Sequence, residues 1–168
     1  MQRLRILAVS VDAIGSFLVV GSADADPYGV FHGPIPQSSV GRPLIYSPAQ
    51  ACFGVDGWIS ADYSGAAKAN RAGDNRAHVK ATVSVDPRVS PDGFPPNTYE
   101  GHATVEADGW VLADQFPDQG YLEIPVRIDM IPAGGGAPIA VIWPVQVWVY
   151  WGPSFIGVSV SHGLETCA

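Results

Sequence analysis

The chain has 168 residues, with 16 acidic against 9 basic side chains, a net charge of −7 and two cysteines. That length supports one domain around one core. An acidic balance without a basic stripe excludes nucleic acid, and an anionic lipid surface, as the natural partner.

The chain opens with Met1-Gln2-Arg3-Leu4-Arg5, continues through a mostly apolar stretch at 6–21, and reaches Ala23-Asp24-Ala25 before Asp26-Pro27. Basic start, apolar middle and Ala-x-Ala site together predict a cleavable signal peptide at 1–25. The apolar stretch contains Asp12 and is shorter than the ~20 residues a membrane span needs, so no transmembrane anchor is expected after cleavage. Cleavage removes Arg3, Arg5, Asp12 and Asp24, which leaves the net charge at −7. The Ala-Asp-Ala-Asp-Pro junction resembles those of exported proteins of high-GC Gram-positive bacteria. The expected location is therefore outside the cell or at its envelope. In that oxidising setting Cys52 and Cys167 are expected to form a disulfide.

Residues 26–50 hold Pro27, Pro34, Pro36, Pro43 and Pro48 with interspersed glycines. Such a density forbids a helix and predicts an extended arm, part of it along a sheet edge. The domain proper is expected at 51–168. A first strand is predicted from Ala51 through Val55, resuming after the Asp56-Gly57 turn at Trp58. The small, polar stretch 62–75 reads as a loop. Residues 78–85 alternate cleanly, with Val79, Ala81, Val83 and Val85 on one face. Proline-rich 86–97 reads as a long connection, 99–107 as a strand, and 108–114 as its continuation past Asp108-Gly109. The fragments 56–62 and 108–114 echo each other, which suggests a shared local geometry. Residues 121–130 alternate again, with Pro125 predicting an edge or an unpaired donor side.

The runs 138–151 and 154–162 flank Gly152-Pro153 and are expected to form a hairpin with Gly152 first in the turn. With Trp151 opposite Ser154, Val145, Val147, Val149, Ile156, Val158 and Val160 share a core face. Trp148 then lies opposite Gly157. About seven or eight strands with frequent turn signals predict an all-β, single-domain antiparallel β-sandwich, immunoglobulin-like or Greek-key.

Chemistry is sparse. Ser161 and His162 are adjacent on a strand and point to opposite faces, so they cannot form a nucleophile–base pair. No Gly-x-Ser-x-Gly elbow is present. The four histidines lack zinc spacing, and no catalytic residue, metal or cofactor is assigned. Carboxylates at Glu106, Asp108, Asp114 and Asp118, and at Asp56 and Asp62, flank turns in a way that calcium can use. Trp58 and Trp110 are expected to pack at the ends of the fold. Trp148, Tyr150 and Phe155 fall on the non-core face of the last hairpin, where rings can meet a protein or glycan partner. The leading expectation is a non-enzymatic envelope or extracellular binding protein. The alternatives are a secreted hydrolase of an envelope polymer and a subunit of an oligomeric envelope pore, the latter from the aromatic strand 143–151.

Overall fold

The computed structural model describes residues 30–73, 75–93, 96–113, 119–153 and 155–168. The expected signal peptide, Asp114 and Asp118 lie outside them. Nine strands form one antiparallel sheet: β1 Val30–Pro43, β2 Trp58–Arg71, β3 Arg76–Ser90, β4 Tyr99–Glu100, β5 Ala103–Leu112, β6 Gln119–Pro132, β7 Ile139–Gly152, β8 Phe155–His162 and β9 Thr166–Cys167. The path runs β1-β2-β3-β4-β6-β7-β8, with β5 on β3 and β9 on β7.

This corrects the expected sandwich. Strands follow one another around a single curled sheet, a near-barrel, without the crossings of an immunoglobulin-like or Greek-key order. Seven strands in the path, each antiparallel to the next, leave β1 and β8 running the same way where the ends meet. There the Ser38 hydroxyl reaches the Val160 carbonyl at 3.5 Å.

Of the proline-rich arm, Val30–Pro43 is β1, paired with β2 from Val30↔Asn70 to Pro43↔Trp58, with a register shift between Ile35 and Ser38. Pro36 cannot donate to a ladder, so the irregularity falls where the chemistry requires it. The stretch 62–75, expected as a loop, is mostly strand β2. Its small residues serve backbone proximity: at Gly65 (φ 154°) an added Cβ would lie 2.1 Å from the Thr82 carbonyl oxygen. The expected strand at 51–55 is instead a short helix α1, Gln50–Phe53, closed by Gly54 in the left-handed region at φ 63°. Such a C-cap favours glycine. The two Asp-Gly fragments do not share a geometry, because Gly57 precedes β2 with φ 144° whereas Gly109 lies inside β5.

The hairpin register is shifted by two residues from the expected one. Gly152 pairs with Phe155, Trp151 with Ile156 and Trp148 with Ser159, and Tyr150 is the residue opposite Gly157. Proline's fixed φ suits the first central turn position, which moves Gly152 back into the strand. A two-residue shift preserves faces. All six expected β-branched residues are therefore buried, together with Val79, Val83 and Val85. Trp143, Trp151 and Tyr63 complete the filling of the interior, each large ring adding apolar burial worth a few kcal/mol at roughly 25 cal/mol per Å².

One end of the near-barrel is capped by a 3₁₀ turn, Leu44–Tyr46, by α1 and by β9. The Phe53 ring meets Tyr99 at 5.0 Å. The Cys52–Cys167 disulfide, bridging positions 115 apart in sequence, ties this cap to the C-terminal segment.

Candidate functional site

Strands β6, β7 and β8 turn alternate residues outward, and on this outer surface Tyr121 stands directly opposite Trp148. Their ring centroids are 4.5 Å apart. Trp148 and Tyr150, two positions apart on β7, lie 6.2 Å apart with planes within 13°. The three rings make one continuous row. A polar rail accompanies it: the Trp148 indole N–H donates to Ser161 Oγ at 2.8 Å, Ser161 Oγ to Gln146 Oε1 at 3.1 Å, and Gln146 Nε2 to Glu123 Oε2 at 2.8 Å. Ser159 donates to the Tyr150 hydroxyl at 3.2 Å.

Of the three expected face residues, Trp148 and Tyr150 are brought together, half-buried, and Phe155 is not. Its ring folds over Gly152, where a Cβ would lie 2.2 Å from it. Tyr121, which is 46% exposed, takes the third place. Its outward direction follows from the β6 alternation, but its pairing with Trp148 needs the β6–β7 register, which one sequence does not give.

A second cluster is sealed beneath the cap. Glu165 and His162 have fully buried side chains, with Glu165 Oε1 3.1 Å from His162 Nδ1. That approach is off the line of a hydrogen bond, since neither atom has a hydrogen-bond partner among the described residues. Ser47 Oγ donates to Glu165 Oε2 at 2.8 Å. Arg42 Nη2 lies 3.5 Å from Glu165 Oε1 and donates to the Gly163 carbonyl at 2.9 Å. Trp143 and Tyr63 close the cluster, the indole N–H donating to the phenol oxygen at 3.0 Å. Burial, aided by Arg42, pushes His162 down to about 3, and burial raises Glu165 against the pull of Arg42. His162 is therefore neutral at neutral pH, and its contact with Glu165 is not an ion pair. Serine, carboxyl and imidazole do converge here, but the carboxyl sits between the other two. The serine hydroxyl meets the carboxyl and not the imidazole, and Ser47, His162 and Glu165 are all buried, so the order of a nucleophile–imidazole–carboxylate triad is not made among the described residues.

Ser161 and His162 point to opposite sides, the first in the outer rail and the second inside. Trp58 and Trp110, expected to pack, are 39% and 54% exposed. Trp110 lies on the outer face of β5, with Arg76 5.1 Å above its ring and His78 at its edge. A cation over the ring offsets part of the cost of exposure. Asp108 is held by His78 Nε2 at 3.1 Å and Lys80 Nζ at 3.5 Å, and Glu106 is exposed on the same strand face. Asp62 pairs with Arg88, and Asp56 accepts from Gln50 at 3.4 Å. Among the described residues no three metal-ligating side chains gather at one point, and no helix is long and apolar enough to cross a membrane.

No protein-family model matches this chain, and neither a curated protein nor a solved structure gives a match.

Proposed function

We propose that this is a non-enzymatic, exported protein that holds a glycan at the cell envelope or outside the cell, on the row Tyr121–Trp148–Tyr150. The carrying observation is the row itself: three adjoining rings on an outer sheet surface, two of which, Trp148 and Tyr150, are hydrogen-bonded to side chains beside them. Aromatic rings meet the apolar C–H surface of a sugar, while carboxylate, amide and hydroxyl groups at the rim meet its hydroxyls. Glu123, Gln146, Ser159 and Ser161 supply such groups within the same row. A fixed row also loses less side-chain freedom on binding than a mobile one. The sealed position of Ser47, His162 and Glu165 supports a binding rather than a hydrolytic role. The inward direction of Trp143 and Trp151 leaves Trp148 and Tyr150 as the outward rings of this strand, which gives the pore alternative less support than the binding reading.

Titration of N-acetylglucosamine oligomers against intrinsic tryptophan fluorescence tests this reading, with Trp148→Ala as the control. A protein partner instead of a glycan is indicated if oligosaccharides leave the emission unchanged while Trp148→Ala abolishes retention on cell-wall protein fractions.

A further inference from the structure

We infer that the outer face of β1–β3 carries a second binding site, which takes a single free oxyanion of the phosphate or sulfate class between Lys68, Lys80 and His32. This site is on strands other than those of the aromatic row and stands independently of the glycan reading. The ladder places His32 directly opposite Lys68, Lys68 opposite Lys80, and Lys80 opposite Asp108, in one line across four strands. Like charges directly opposite one another on a sheet face are destabilising. The arrangement stands out in a chain with 16 acidic residues against 9 basic ones, where a carboxylate is the commoner charge for any surface position. Asp108, at the far end of the line, lies 3.5 Å from Lys80 and is shared with His78. Among the described residues Lys68 has no ion-pair partner.

The charges rim a depression. It is a shallow, open depression of ≈ 240 Å³ whose floor is mostly apolar surface of small residues, Gly33, Ala66 and Thr82 among them, with the exposed His32, Lys68 and Lys80 beside it. Pockets for organic ligands usually occupy about 300–1,000 Å³, so the space suits a compact anion better than a cofactor. Lysine ammonium groups serve oxyanions as point charges, and an imidazole N–H adds a directed donor. The net charge of −7 repels a polyanionic strand or an anionic membrane, which restricts the ligand to a single small anion.

The test is titration of the disulfide-bonded protein with inorganic phosphate, chloride being exchanged to hold ionic strength constant, followed by amide ¹H–¹⁵N shifts and Tm. Saturable shifts at 66–68 and 80–82, with a rise in Tm, are expected. Lys68→Gln should weaken binding about tenfold or more, as loss of one charge-assisted contact implies. Lys68→Glu, which gives Lys80 an opposite charge across the ladder, should raise Tm without phosphate by ~1–4 °C and abolish the response. A phosphate response equal to that of chloride, or one that survives Lys68→Gln, overturns the inference. So does binding seen only with phosphatidylglycerol vesicles, because the anion would then be a lipid headgroup.

Discussion

The His162 imidazole and the Glu165 carboxyl lie 3.1 Å apart with neither side chain exposed, where the end of β8 meets the capped end of the near-barrel. The two groups respond to pH with opposite signs. His162 is lowered from 6.5 to about 3, so the unfolded chain takes up a proton below pH 6.5 that the folded chain refuses, and stability falls with acid through that window. Glu165 is raised above its ordinary 4.5, so its contribution is complete below pH 4.5 and is lost as pH rises through its folded value. Urea unfolding from about pH 7 to about pH 5 should show the advantage of wild type over His162→Gln shrinking by up to ~1.4 kcal/mol per pH unit. The advantage over Glu165→Gln should grow over the same interval. Two flat differences would mean that neither group titrates with the fold.

Tyr63 and Trp143 form a buried polar pair beside His162, 3.0 Å from indole nitrogen to phenol oxygen. Burial raises the Tyr63 phenol far above its ordinary range, so it stays protonated. Tyr63→Phe leaves the indole N–H without its acceptor and should cost about 1–3 kcal/mol in chemical denaturation. Trp143→Phe combined with Tyr63→Phe should cost less than the two single changes summed, since the second removes a group the first has already orphaned. Strict additivity would show that the hydrogen bond is not made.

The Cys52–Cys167 disulfide joins positions 115 apart. In the chain-entropy account such a loop contributes ~4 kcal/mol or more. Cys52→Ser with Cys167→Ser should lower the unfolding free energy by about that amount. Hydrogen exchange should quicken first at 163–168 and in α1, the segments the bond holds over the buried Glu165. Uniformly faster exchange across the sheet would show that the cap is not a separate unit.

How much of this was legible in the sequence depended on side-chain alternation. Strands β6, β7 and β8, and β3 as far as Val85, carry apolar, largely β-branched residues at every second position and were readable, as was the disulfide; the end of β3 at 86–90 was hidden by Pro87. The curled single sheet was not, because a near-barrel buries one face of each strand just as a sandwich does, and alternation cannot tell them apart. Strand β2 was hidden by Ser64-Gly65-Ala66-Ala67, a loop-like composition whose purpose, close approach to β3 at Thr82, exists only in three dimensions. At Cys52-Phe53 an apolar pair suggested a strand, and the informative residue was Gly54, the left-handed C-cap. Trp148, Tyr150 and Phe155 stay on the outer face because a two-residue register error preserves faces. The buried cluster could not be foreseen. Arg42 and Ser47 are more than a hundred positions from His162 and Glu165 in sequence, and no local spacing marks their meeting.

The most direct test of the proposed role is fluorescence titration with N-acetylglucosamine oligomers, comparing wild type, Trp148→Ala and Tyr121→Ala, with iodide quenching as a measure of ring exposure. The aromatic row predicts a saturable shift in wild type, reduced iodide access at saturation, and a loss of about tenfold or more in affinity in either variant, as removal of a stacked ring implies. An unchanged wild-type spectrum, or a response that persists undiminished in Trp148→Ala, would contradict it.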